Sequence, residues 1–138
     1  MKSYDVVIVG LGPVGGTIAN LLAMNGLSIL ILEREKSIFN LPRAVHFDDE
    51  VMRIFQSIGI SEKFARYTII NKGTKFVNAD DEVVLDWPRP RSRTINGWYP
   101  SYGFHQPDLE RQLRRSLKDF KKVSIRQNAK VLKIKNID

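Results

Sequence analysis

The hydrophobic pattern at the start of the chain predicts a strand, a helix and a second strand in succession. Four consecutive apolar residues, from Val6 to Val9, end a predicted strand over residues 4–9. Such a run is typical of a parallel strand that is covered on both faces. Apolar residues at helical spacing then predict a helix over residues 13–25, which Gly26 would end. A second apolar run over residues 28–32 predicts another buried strand, which ends at Glu33.

The middle of the chain has a less regular pattern. Residues 34–46 predict a loop, and Asp48 is a plausible N-cap for a following helix that Gly59 would end. Residues 67–86 predict two strands joined by a turn at residues 79–81. Residues 87–100 contain three prolines and a glycine, so they predict a loop.

The last third returns to alternating helix and strand. A helix is predicted to begin near Pro107, with an apolar stripe formed by Leu109, Leu113, Leu117 and Phe120. Residues 123–126 and 130–134 predict two short strands. The whole pattern therefore predicts an α/β fold. We expect a Rossmann-like βαβ unit over residues 3–33, with a mostly parallel sheet and a small antiparallel element.

The segment between the first strand and the first helix carries the clearest chemical signal. Gly10, Gly12 and Gly15 have the spacing G-x-G-x-x-G of dinucleotide-binding loops. The first glycine permits the tight turn, the second lets a pyrophosphate approach the backbone, and the third lets the helix pack on the strand. Glu33 follows Gly15 by 18 residues, where an acid accepts hydrogen bonds from a ribose 2′-hydroxyl. An acid there disfavours a 2′-phosphate, so we expect FAD or NAD rather than NADP.

Composition narrows the class of protein. The 138 residues suit one domain, and the absence of cysteine excludes disulfides and thiolate metal sites. No apolar run reaches the roughly 18 residues of a membrane span, and no signal peptide is recognisable. A cytoplasmic protein without a metal site or membrane partner is therefore expected. The net charge of +7 attracts phosphates, although a solvated surface is the favoured interpretation of the basic residues over 111–122.

Three stretches of the chain resemble one family. Residues 5–15, residues 42–50 and residues 104–110 are similar, in the right order, to segments of the FAD-dependent aromatic-ring monooxygenases. The likeness is greatest to the 3-(3-hydroxyphenyl)propionate hydroxylase branch. This resemblance favours FAD over NAD. It implies an enzyme in which NAD(P)H reduces FAD and the reduced flavin uses O₂ to hydroxylate a small phenolic substrate.

The same resemblance implies roles for individual residues. Gly10, Gly12 and Gly15, with Pro13 and Val14 between them, would line the pyrophosphate, and Glu33 would bind the adenosine ribose. Arg34 would lie beside the adenine end, Arg43 near the pyrophosphate, and Gln106 near the ribityl or pyrophosphate region. No catalytic residue is identified. His46 and His105 are the two histidines, and a structural role is favoured over that of a general base. Packing is also favoured over substrate contact for four aromatic residues: Trp87, Trp98, Tyr99 and Tyr102.

Enzymes of this family are several times longer, and two of their later FAD-contacting stretches have no counterpart in these residues. We therefore expect residues 1–138 to be the N-terminal part of a FAD-binding domain, inactive alone, in which an inserted substrate-domain element starts over about 67–104. Two other classes stay open: an NAD-binding oxidoreductase or regulatory module, and a basic nucleic-acid-binding module. A folded but inactive remnant is a further alternative. No nucleic-acid-binding signature is present, so no nucleic-acid partner is expected. Apolar residues left exposed would favour a homo-oligomer.

Overall fold

The computed structural model describes residues 3–41 and 43–135, and it divides into two compact units. Residues 1–43 and 106–138 form the first unit, and residues 44–105 form the second. Within the described ranges, no helix combines the length and apolar character that a membrane crossing requires. In chain order, the elements are β1 (Val6–Val9), α1 (Pro13–Met24), β2 (Ile29–Leu32), β3 (His46–Asp48), α2 (Asp49–Ser57), α3 (Ser61–Ala65), β4 (Thr68–Ile70), β5 (Gly73–Val77), β6 (Val83–Pro88), β7 (Ser101–Phe104), α4 (Gln106–Leu117) and β8 (Val123–Arg126).

The first unit is built on a three-stranded parallel sheet with the order β1-β2-β8. Ile29 of β2 lies opposite Val6 of β1 and Val123 of β8. Ile29 and Ile31 are fully buried and share a hydrophobic core with residues of α1 and with Leu117 of α4. The predicted βαβ unit and its helix are therefore confirmed. The apolar stripe of α4 is confirmed for its three leucines, whereas Phe120 lies beyond the end of the helix. Gly26 adopts a positive φ just beyond α1, as a residue that ends a helix should.

The burial predicted for β1 is wrong on one face. Val7 and Val9 have 52% and 58% of their surface exposed, whereas Val6 and Ile8, on the other face of β1, are half-buried. Side chains alternate between the faces of a strand. In the described part of this unit, α1 and α4 contribute to a core on one face only, so the alternate side chains of β1 stay in contact with solvent.

The second unit contains a three-stranded antiparallel sheet with the order β3-β7-β4 and a separate β5-β6 hairpin. Its core holds an aromatic cluster in which Phe47 contacts four rings, those of Phe55, Phe64, Tyr102 and Phe104, with centroid distances from 5.2 to 5.8 Å. Asp48 is the N-cap of α2, since its side chain accepts a hydrogen bond from the Val51 N–H at 3.0 Å. The predicted start of this helix is confirmed.

Several sequence-based boundaries need correction. Residues 46–48 and 101–104 form strands, although the pattern predicts a loop up to residue 46 and no strand at 101–104. The pattern of residues 67–86 predicts two strands, but three strands occupy the range from Thr68 to Pro88. Residues 130–134 are not a strand; Leu132 and Ile134 are exposed, and no neighbouring strand pairs with them in the described chain. Pro42 of the predicted loop lies outside the described residues.

Candidate dinucleotide-binding site

Each glycine of the loop after β1 meets a different steric requirement. Gly10 has a φ of +98°, a conformation that side-chain-bearing residues rarely adopt. A Cβ at Gly15 would overlap the carbonyl oxygen of Gly10, so only glycine lets α1 start this close to β1. At Gly12 the space that a Cβ would enter holds no atom within 4 Å. The loop therefore leaves open the place where the backbone would meet a bound pyrophosphate.

The N-terminus of α1 faces this open space without a capping side chain. Gly12 is the N-cap and supplies no side-chain hydrogen bond, and Pro13 at the first helical position has no N–H. The first N–H groups of a helix have no partner within the helix, and its dipole places partial positive charge there. Val14, in this turn, has 73% of its surface exposed. An anionic group is the natural ligand for such an end.

A cavity of about 520 Å³ lies at the loop and contains five of the residues predicted to bind the cofactor. These five are Gly10, Gly12, Glu33, Arg34 and Arg43. The volume falls in the range of roughly 300 to 1,000 Å³ that is usual for small-molecule sites. The open face of Gly12, the uncapped helix and the nearby arginines together fit the pyrophosphate and adenosine portion of a dinucleotide.

Glu33 is held firmly at the end of β2 and is only 9% exposed. Its Oε2 accepts the Leu11 N–H at 2.6 Å, and its Oε1 accepts the Glu35 N–H at 2.9 Å. Burial tends to raise the pKa of Glu33, but the two N–H groups and the charges of Arg114 and Arg34 outweigh it and hold that pKa below its ordinary value. The carboxylate is therefore ionised at neutral pH, and its remaining lone pairs can accept ribose hydroxyl groups.

The two predicted arginines line the cavity with exposed side chains. Arg34 forms an ion pair with Glu35, with 3.0 Å between Nε and Oε1. The guanidinium of Arg43 lies 5.4 Å from the centroid of the Phe39 ring. The backbone N–H of Arg43 donates a hydrogen bond to Oε1 of Gln106 at 3.1 Å. Both guanidinium groups are thus positioned where they could meet phosphate oxygens.

The other four predicted residues do not line this cavity. Pro13, Val14 and Gly15 form the first turn of α1, and Gln106 begins α4. Gln106 is buried, and its Nε2 donates a hydrogen bond to Oε1 of Glu110 at 2.9 Å. Their predicted contacts with a cofactor stay predictions.

Two residues of α4 that the sequence motifs do not indicate also line the cavity. Glu110 and Arg114 are four residues apart, and Nη2 of Arg114 donates to Oε2 of Glu110 at 3.4 Å and to the carbonyl oxygen of Leu11 at 3.1 Å. The side chain of Arg114 is only 15% exposed, so the interpretation of residues 111–122 as solvated surface is wrong for this residue. The i,i+4 spacing of opposite charges was the available signal, but it does not distinguish a surface pair from a buried one.

The two histidines and the four aromatic residues with predicted packing roles belong to the second unit and are not among the residues that line this cavity. His46 Nε2 is 2.7 Å from Oγ of Ser101, and the His105 side chain is exposed. Tyr102 is buried in the aromatic cluster, as the packing interpretation predicts. Trp87 is half-exposed, with the Arg89 guanidinium 4.0 Å from its ring centroid, so it does not pack in the core of its unit. Packing of this residue between domains stays a prediction.

Comparison with known proteins identifies relatives that are named as hydroxylases of phenolic compounds. The chain is 42% identical over 130 residues to a protein of Rhodococcus jostii named "probable NADH-specific resorcinol 4-hydroxylase", covering 94% of this chain and 24% of that protein. It is 37% identical over 122 residues to the 3-(3-hydroxy-phenyl)propionate/3-hydroxycinnamic acid hydroxylase of Mycobacterium avium, covering 88% of this chain and 21% of that enzyme. The chain thus spans about a quarter of the length of these relatives.

Solved structures share the fold. The p-nitrophenol 4-monooxygenase of Pseudomonas putida superposes with a TM-score of 0.79 at 21% identity, over 93% of this chain and 33% of that one. The family model described as "FAD binding domain" matches residues 3–137, nearly the whole sequence. The chain therefore belongs to the family of FAD-binding domains found in flavin-dependent aromatic hydroxylases.

Proposed function

We propose that this chain supplies the adenosine and pyrophosphate side of the FAD site in an enzyme that hydroxylates a small phenolic substrate with NAD(P)H and O₂. The observation that carries the proposal is the open space at Gly12, beside the uncapped N-terminus of α1 and within one cavity with Glu33. FAD would supply the redox chemistry. The residues of this chain would bind the cofactor and hold it in a fixed orientation.

The geometry suggests a role for each cofactor-binding residue. The N–H groups at the start of α1 would donate to the pyrophosphate, and Glu33 would accept from the ribose. The exposed side chains of Arg34 and Arg43 would neutralise phosphate charge or flank the adenine. Gln106 would support the site through its hydrogen bonds to Arg43 and Glu110.

The substrate class rests on the relatives. Their names specify resorcinol, 3-(3-hydroxyphenyl)propionate and 3-hydroxycinnamic acid as substrates, all of which carry a phenolic hydroxyl. One of those names also specifies NADH as the electron donor. A phenolic substrate and a nicotinamide donor are therefore the proposal for the whole enzyme to which this chain corresponds.

Cofactor binding can be tested on the chain itself. After the protein is mixed with excess FAD and desalted, the visible spectrum should show retained flavin bands. Gly12→Val should lose those bands, because its side chain would occupy the space of the pyrophosphate. Circular dichroism should show that the variant is folded, since the added side chain meets no atom of the protein within 4 Å of its Cβ. Equal flavin retention by the two proteins would refute the assignment of the loop, and tighter binding of NADH than of FAD would favour the NAD-binding alternative.

Activity is to be tested on the full-length gene product, because the chain spans about a quarter of its relatives. Resorcinol and 3-(3-hydroxyphenyl)propionate should each be offered with NADH and NADPH under air. The expected result is substrate-dependent oxidation of the nicotinamide, together with a product that is heavier by one oxygen atom. A full-length protein that purifies without flavin and does not take it up would contradict the proposal.

The remaining expectations stay predictions. These are a cytoplasmic location, a homo-oligomer and the absence of a nucleic-acid partner. The assignment of residues from about 67 to 104 to the start of a substrate domain is also a proposal. It is supported by the separate compact unit over residues 44–105.

A further inference from the structure

We infer that Glu110 and Arg114 are positioning residues of the dinucleotide site, which fix the backbone of Leu11 in the glycine loop and connect it to Gln106. This inference rests on the proposed function and extends it to two residues on α4. It assigns them an indirect role: they hold the groups that would touch the cofactor.

Both backbone polar groups of Leu11 are hydrogen-bonded to charged side chains. The N–H of Leu11 donates to Oε2 of Glu33 at 2.6 Å, and its carbonyl oxygen accepts from Nη2 of Arg114 at 3.1 Å. Leu11 itself is 1% exposed and belongs to the core cluster. The residue between Gly10 and Gly12 is thus fixed by one anion, one cation and the core. Because glycine backbones are otherwise the most permissive, such restraint would keep the loop in the shape that receives a pyrophosphate.

Glu110 fixes Arg114 in turn. The Glu110 side chain is 4% exposed, and its two oxygens have different partners. Oε2 accepts from Arg114 at 3.4 Å, and Oε1 accepts from Nε2 of Gln106 at 2.9 Å. A carboxylate so buried needs a compensating charge, and Arg114 supplies it.

The hydrogen bonds form a continuous chain through the site. It runs from the Arg43 N–H to Gln106, Glu110, Arg114, the backbone of Leu11 and Glu33. Three of its members, Arg43, Gln106 and Glu33, are predicted cofactor-binding residues on different segments. Glu110 and Arg114 join the segment at Gln106 to the glycine loop. Their loss should therefore disturb the position of the glycine loop and of Gln106, although neither residue is proposed to bind the cofactor itself.

The test compares Arg114→Ala with Arg115→Ala, which removes the same charge from an exposed neighbour on α4. Two quantities are measured at a temperature at which thermal unfolding shows every variant to be folded: FAD affinity by flavin fluorescence titration, and amide exchange at Leu11 by NMR. Losing a charge-assisted hydrogen bond should weaken FAD binding roughly tenfold in Arg114→Ala. Leu11 exchange should accelerate by a similar factor, whereas Arg115→Ala should stay within about twofold of the wild type in both measurements.

Conservative variants separate positioning from general destabilisation. Arg114→Lys should recover part of the affinity and of the Leu11 protection, because it keeps a charged donor. Glu110→Gln should resemble Arg114→Ala at Leu11. If Leu11 exchange in Arg114→Ala matches that in Arg115→Ala, the inference is overturned, even if FAD affinity falls. A wild-type chain that binds no FAD would refute the proposed function alone, since Leu11 exchange would still decide the role of Arg114.

Discussion

At the scale of single residues, two glycines of the same loop meet different structural requirements. Gly15 is required by packing within the protein, because its Cβ would overlap the Gly10 carbonyl oxygen. Gly12 is not required by packing, since the space beside it is open. The sequence spacing predicted both roles, and the structure assigns a separate steric reason to each position.

This difference predicts that a substitution at Gly15 lowers the stability of the protein more than a substitution at Gly12. Gly15→Ala should lower the free energy of unfolding by about 1 to 3 kcal/mol, the usual cost of overpacking, because α1 must move away from β1. Urea denaturation followed by circular dichroism would measure it. Gly12→Val serves as the comparison and should cost less, despite its larger side chain. A Gly15→Ala protein as stable as the wild type would show that the loop relaxes without cost.

Glu33 predicts a pH dependence of stability. Its folded-state pKa lies below the ordinary value, so its stabilising effect is present at neutral pH and is lost as pH falls below about 4.3. Glu33→Gln should be less stable than the wild type by about 1 to 3 kcal/mol at pH 7, because two backbone N–H groups lose a charged acceptor.

The decisive quantity is the difference between these two proteins in urea unfolding, measured from pH 7 downward. This difference in unfolding free energy should shrink as the pH approaches 3. The other carboxylates titrate in both proteins, so their contributions cancel in the difference. A difference that stays constant over this range would mean that the charge of Glu33 contributes nothing to stability.

At the scale of elements, local signals predicted helices better than short strands. Asp48, Gly26 and Gly59 mark helix ends that the structure confirms, because capping depends on residues close together in the chain. The strands β3 and β7 were missed. They are three and four residues long, and they pair across more than fifty residues of sequence. Three or four residues are too few to show the alternation of apolar and polar side chains by which a strand is recognised in a sequence.

The cap of α2 can be tested directly. Asp48→Ala should lower the free energy of unfolding by about 1 kcal/mol, because the Val51 N–H loses its side-chain acceptor. Asp48→Asn should restore most of the loss, since an amide oxygen also caps. Chemical denaturation of the three proteins under one buffer condition is sufficient. If Asn is no better than Ala at this position, the hydrogen bond is not the source of the stability.

At the scale of the molecule, the parallel sheet of the first unit has an apolar face that the described residues leave uncovered. Val7 is 52% exposed on a strand that the sequence predicts to be buried. Contiguous apolar surface of this kind promotes association. Val7→Thr should therefore reduce concentration-dependent association in sedimentation velocity, because threonine keeps the branched shape suited to a strand and adds a hydroxyl.

Ile95→Thr provides the matched control, since Ile95 is fully exposed on an irregular segment of the second unit. It should leave association unchanged. Equal effects of the two substitutions would mean that general surface hydrophobicity, and not the sheet face, drives association.

The sequence by itself determined the features that depend on neighbours along the chain. The βαβ unit, the glycine loop, the acid at the end of β2 and the helix caps all follow from local spacing and backbone requirements. Only the tertiary structure decided what depends on distant partners. It decided that Arg114 is buried and bonded to Leu11, that β7 lies between β3 and β4, and that one face of β1 is exposed. The physical reason is that burial and strand pairing are set by residues far apart in sequence, which periodicity cannot report.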